Sequence, residues 1–211
     1  MHSAAVMRLT GSERAVAEIA AVAEHMASLT AAAAGFQLRP DIPAQTSDPA
    51  SCTVALLDEE SAPEAAAALA EIRSWASQAL KVDRVPNIWR AFAHHPRLLE
   101  AVWRKNRLIL GAGALDELVK GCAALAVAQF RQSDYWIAYQ TQFLRSSCGL
   151  DDRGLVEATA MMMHSLAFNT IAHGMRLDAP FDQLAAADFA PGGRLERTRR
   201  PGEPVRVGAP G

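Results

Sequence analysis

Residues 115–149, LDELVKGCAALAVAQFRQSDYWIAYQTQFLRSSCG, decide the fold. They read as two helices, 115–131 and 133–147, separated by a short polar break. In the first, Leu118, Cys122, Leu125, Ala126 and Gln129 recur at helical spacing along one side. In the second, Trp136, Tyr139, Gln140 and Phe143 do the same. A connection this short turns the chain back on itself, so the pair forms a helical hairpin. Gly149 stops the second arm.

Working outward, helical signals continue on both sides. His95 and Pro96 open a helix carrying Leu98, Leu99, Val102 and Leu108, which Gly111 and Gly113 close. Before it, Pro86 breaks the chain and Asn87 can cap a short helix, IWRAFA. Ser61 and Glu64 form a capping-box signature ahead of Ala65, Leu69, Ile72 and Ala76, predicting a helix to about Leu80. Residues 40–53, PDIPAQTSDPASCT, are rich in Pro, Ser and Asp without a period and read as a linker. Residues 12–34 predict an Ala-rich helix, with Thr10 and Glu13 as its capping box and Val16, Ile19, Val22, Ala23, Met26 and Leu29 as its apolar stripe. Downstream, Asp151 or Asp152 caps a last long helix containing MMMHSLAFNTIAHGM, and a short helix near Phe181 to Ala187 follows. The closing PGGRLERTRRPGEPVRVGAPG has five Arg against two Glu and reads as a flexible basic tail. The expected class is all-α: an amino-terminal helix and linker over 1–53, a compact helical domain over 54–190 and the tail over 191–211.

Composition excludes several functions. With 21 basic and 23 acidic side chains, no global field draws the chain to nucleic acid or to an anionic membrane. Charged residues interrupt every apolar stretch before the roughly 18 residues of a membrane span. In MHSAAVMRLTGSERAVAEIAAV the charges fall inside the Ala-rich run, which does not suit a secretory signal, so a cytoplasmic address is expected. Cys52, Cys122 and Cys148 are odd in number and far apart, unlike a disulfide framework or zinc ribbon, and read as small buried apolar side chains. His94 and His95 are adjacent, with no acidic residue at i+4 from either, so no metal site is expected. Phosphate-cradling loops and nucleophile elbows are absent from the sequence, and no cofactor is expected.

The segments VPNIWRAFAHHPRLLEAVW, ALDELVKGCAALAVAQF and DYWIAYQTQFLRSSCGLDD, in that order, resemble the alkylhydroperoxidase D-like branch of the carboxymuconolactone decarboxylase superfamily over residues 54–178. In its peroxidase-related members, Val-Pro-Asn and Ala-His-x-Pro segments precede a hairpin whose second arm begins C-x-x-C-x-x-x-H. A Glu stands twelve positions before the first Cys. The Gly-Leu-Asp-Asp loop and the Phe168-Asn169 pair also fall in the family's order. The resemblance implies the AhpD-like helical fold. It also implies where the family's chemistry would lie: the Glu position is Gly121, the two Cys positions are Ser133 and Trp136, and the His position is Gln140. In the family the thiolate pair attacks a peroxide or exchanges with a disulfide, while Glu and His relay protons. A serine hydroxyl is a poor nucleophile without an adjacent base. Decarboxylase members resemble one another in a His where this chain has Gln140, which does not titrate near neutral pH.

Ser133, Trp136 and Gln140 are spaced i, i+3 and i+7, on one helix face. With Tyr135, Tyr139 and His164 they form a candidate pocket for a small planar or carbonyl-bearing molecule. The competing reading puts Trp136 in the core, filling the space vacated by catalysis, and makes His164 a satisfied core residue. Met161, Met162, Met163, Leu166, Phe168 and Ile171 cover more than one helix face. Together with the family's habit of assembly, that implies a homo-oligomer, a trimer or hexamer; the alternative packs the methionines within a monomer under the amino-terminal helix. The expected function is small-ligand binding or assembly without thiol peroxidase activity. One alternative is a non-redox lyase, isomerase or decarboxylase acting on a small carbonyl or aromatic acid, with Tyr135, Tyr139, Gln140 or His164 handling protons. A weaker one is residual alkylhydroperoxidase activity from the relocated cysteines.

Overall fold

The computed structural model describes residues 10–43 and 51–175. The basic tail and the short helix expected near Phe181 lie outside them. Among the described residues the chain is all-helical, without strands: α1 (Glu13–Gly35), a 3-10 turn (Pro63–Ala65), α2 (Ala66–Ala79), α3 (Asn87–Phe92), α4 (Pro96–Leu110), α5 (Glu117–Phe130), α6 (Asp134–Ser146) and α7 (Asp152–Gly174). The α5/α6 hairpin is the centre. Helix α1 crosses α5, α4 and α6, and α2 packs on α4. Val22, Met26, Leu29 and Ala33 of α1 join the same core as Leu69, Ile72, Ile88, Trp89, Leu99 and Trp136.

Local chemistry sets the boundaries, and three caps differ from expectation. Helix α1 begins at Ser12, not Thr10: Ser12 Oγ accepts from the Ala15 amide at 3.2 Å, and the Ser12 amide donates to Thr10 Oγ1. Its buried face is Ala15, Val22, His25, Met26, Leu29, Thr30 and Ala33, leaving Ala23 exposed. Ser61 pairs backwards with Asp58 instead of capping α2: the Asp58 amide donates to Ser61 Oγ (2.8 Å) and the Ser61 amide to Asp58 Oδ1 (2.9 Å). Pro63 then starts a 3-10 turn that leads into α2 without a side-chain cap. Asn87 is the first residue of α3 rather than its cap, and its amide donates to Asp41 Oδ2 at 2.7 Å. His95 caps α4 as expected, its Nδ1 accepting from the Leu98 amide at 3.2 Å.

Asp41 also corrects the linker reading. It is 1% exposed, and with Ile42 it docks the start of that segment into the core. Arg84 donates to the carbonyls of Asp41 and Pro43. Burial pushes the Asp41 carboxyl up from its ordinary value despite the Asn87 amide.

Helix α5 buries a different face from the one periodicity suggests. Its buried residues are Lys120, Gly121, Ala124, Leu125 and Ala128, whereas Leu118 is exposed and Cys122, Ala126 and Gln129 are half-buried. The small residues explain it, because α6 and α1 approach α5 where there is least side chain in the way. A Cβ at position 121 would stand 2.8 Å from Leu144 Cδ2 and 3.3 Å from Phe143 Cε1. Leu118, Cys122 and Ala126 line a groove with α7 instead.

Asp151 caps α7, its Oδ1 accepting from the Gly154 amide at 2.8 Å. None of the described side chains of this 23-residue helix is buried. Met161, Met163, Leu166, Phe168 and Ile171 are all exposed, so α1 does not cover the methionines. No helix among the described residues is long and apolar enough to cross a membrane.

Candidate functional site

A cleft of about 380 Å³ opens among α2, α4, α5, α6 and the 111–116 connection. Trp75, Tyr139 and Phe143 form its aromatic wall, with Trp75 near-parallel to Tyr139 (18°) and to Phe143 (17°) at 6.3 and 6.4 Å between ring centres. Asn106 and Gln140 supply buried carboxamides, and Arg107 and Glu117 supply one charge of each sign.

Gly121 and Gln140 both line this cleft, although they come from different arms of the hairpin. Tyr139 joins them. The other expected residues go elsewhere. Ser133 and Tyr135 line a separate cavity of about 670 Å³ at the start of α6, beside Arg39 and Arg131. Trp136 is fully buried, and its Nε1 donates to the Leu29 carbonyl at 2.9 Å. His164 is exposed on α7, 4.6 Å from the Phe168 ring. The stripe from 133 to 140 therefore does not open into one pocket: it runs about 10 Å along the helix axis, and α1 covers its first turns.

Ionisation restricts the chemistry further. Burial raises the Tyr135 hydroxyl well above its ordinary range, with Asp41 adding to the effect, and its oxygen accepts from the Ile88 amide at 3.1 Å. Burial also raises Tyr139. Both are phenols at neutral pH, so neither supplies a base. Cys122 and Cys148 are half-buried thiols outside the cleft. Burial raises both; Asp116 adds to the shift at Cys122, and Glu117, the other thiol and Asp116 add to it at Cys148. Among the described residues no group of three His, Cys, Asp or Glu is placed to hold a metal ion.

Two polar positions that neither periodicity nor family spacing singles out matter here. His25 of α1 is buried, with Nε2 3.0 Å from Asn106 Oδ1. Burial lowers its basicity, although the Asn106 contact works the other way. The signal was present: His25 lies three residues after Val22, on the buried face, and Asn106 lies seven after Leu99. Lys120 is also buried, and its Nζ lies 3.0 Å from Glu18 Oε2 and 2.7 Å from the Gly111 carbonyl. This pair ties α1 to the rim of the cleft.

An all-helical chain built on such a hairpin, with a cleft between its arms and the preceding helices, has the AhpD-like fold. Among solved structures it matches the alkylhydroperoxidase AhpD core from Rhodospirillum rubrum at 28% identity and a TM-score of 0.56, over 64% of this chain and 98% of that one. No family model matches the chain. No curated protein compared with it matches either.

Proposed function

We propose that this protein is a non-redox member of the AhpD-like fold, a small-ligand binding or assembly protein without thiol peroxidase activity. The observation that carries the reading is the cleft itself, where Gly121 and Gln140 stand at the positions the resemblance assigns to Glu and His. Neither residue moves a proton near neutral pH. Ser133 and the buried Trp136 occupy the positions assigned to the cysteines, and the thiols present lie outside the cleft with their ionisation disfavoured. A thiol raised above its ordinary 9.0 is overwhelmingly protonated at pH 7. Alkylation of Cys122 and Cys148 by iodoacetamide, followed on their own peptides by mass spectrometry, is expected to be slow at pH 7. Its rate should rise about tenfold per pH unit to beyond pH 9. A plateau below pH 7 would reveal an activated thiolate and count against the proposal.

Assembly is the second part of the reading. A helix with apolar residues on more than one face belongs in an interior, yet among the described residues α7 packs on α5 and still leaves Met161, Met163, Leu166, Phe168 and Ile171 exposed. Copies of this chain packed through α7 would cover it, as a trimer or hexamer in the manner of the family. Light scattering should give a multiple of the single-chain 22.6 kDa, reduced by Phe168→Glu. A wild-type mass near 22.6 kDa contradicts it. With near-balanced charge the proposal includes neither nucleic acid nor membrane as partner, and it places the protein in the cytoplasm.

A further inference from the structure

Two carboxamides line the cleft, and two consecutive residues of α1 hold one end of each. Asn106 is 3% exposed, and its Oδ1 faces His25 Nε2 at 3.0 Å. Because burial keeps His25 neutral, one ring nitrogen carries its hydrogen, and the nitrogen facing a carbonyl oxygen is the donor. Asn106 therefore turns its NH2 group toward the space it lines. Gln140 is 1% exposed, and its Nε2 points at Met26 Sδ, 3.7 Å away. Its Oε1 is thus the end left to accept a hydrogen bond from an occupant. Such nearly desolvated groups discriminate strongly, since an occupant that fails to pair with them leaves them unsatisfied.

The rest of the cleft selects for shape and against charge. Trp75 and Phe143, 17° from parallel and 6.4 Å apart between ring centres, give the cleft an aromatic wall suited to a ring. Arg107 and Glu117 bring one charge of each sign to the lining, and Arg107 is occupied by Glu71 at 3.7 Å and by the Trp103 ring at 5.7 Å. A carboxylate would gain little here.

We propose that the cleft binds a neutral planar ring carrying an adjacent hydrogen-bond acceptor and donor, the chemistry of a cyclic amide. Asn106 Nδ2 donates to the ring carbonyl and Gln140 Oε1 accepts from the ring N–H. The proposal rests on the reading of the cleft as a small-ligand site. Titration calorimetry of the full chain with 2-pyridone, N-methyl-2-pyridone and benzoate tests it. Saturable binding of 2-pyridone is expected, about tenfold tighter than the N-methyl compound, which has lost the donor. Benzoate should bind no better than the N-methyl compound. Gln140→Met should weaken 2-pyridone about tenfold and leave the N-methyl compound unchanged. If benzoate or the N-methyl compound binds as tightly as 2-pyridone, the ligand chemistry is wrong while the cleft remains a binding site. If none of the three binds saturably, both the chemistry and the small-ligand reading fall.

Discussion

Glu18→Ala is expected to lower the unfolding free energy by about 3–5 kcal/mol, the range for leaving a buried charge without its partner; the Glu18 side chain itself is 17% exposed. Lys120 is 2% exposed and would keep only the Gly111 carbonyl as a partner. The substitution also strips the acceptor from the Ala114 amide (2.9 Å) and the Leu115 amide (3.0 Å). Those two backbone donors, followed by Lys120, hold the Glu18 carboxyl down at about 2 against an ordinary 4.5. Its folded value is the lower one, so its contribution is complete above pH 4.5 and is lost as the pH falls toward 2. His25 adds a loss in the same direction: the folded state disfavours its protonation, so stability declines as the pH drops through its ordinary 6.5. Urea denaturation from pH 7 down to pH 3 should show both declines, with the Glu18 part missing in Glu18→Ala. Glu18→Gln/Lys120→Met removes both charges and keeps an amide oxygen for one of the two backbone donors, which sit on different carboxylate oxygens, and should recover part of the loss. A change below about 1 kcal/mol in the single variant would mean that the pair is solvated like a surface bridge.

Trp136→Ala should be as costly, about 3–5 kcal/mol by the same measurement. Its indole is fully buried, packed 5.4 Å from the Tyr135 ring and 4.8 Å from the Tyr139 ring between ring centres. The truncation leaves a cavity and takes the Nε1 donor from the Leu29 carbonyl. Trp136→Phe keeps most of the ring volume and should lose less. A near-neutral Trp136→Ala would place the indole in an open pocket after all and revive the ligand-contact reading of this residue.

The hairpin and the order of helices were legible because they rest on strong local signals: apolar periodicity, His95-Pro96, Gly111, Asp151 and Gly149. The burial of α5 was not, because periodicity ranks Leu118 and Cys122 above Gly121 and Ala124. Close helix packing reverses that order by favouring whichever face lets the backbones approach. Family spacing singled out Gly121 and Gln140, which line the same cleft. It could not show that α1 closes over Trp136, since that depends on a helix lying more than 100 positions away in sequence, as the 107-residue separation of Trp136 and Leu29 records. His25, Asn106, Glu18 and Lys120 escaped for a related reason: each is an ordinary polar residue in its own helix and acquires meaning only from a partner on another. Asp41 looked like linker because Pro and Ser surround it, yet it caps the α3 backbone from a distance of 46 residues.

On the proposed reading, the cleft of this AhpD-like fold works without reactive sulfur. Reduction of an organic hydroperoxide by a small dithiol, with the full-length protein as catalyst, tests it most directly. A rate indistinguishable from the protein-free blank is expected, unchanged in Cys122→Ala and Cys148→Ala. Catalytic turnover that disappears in either variant would contradict it.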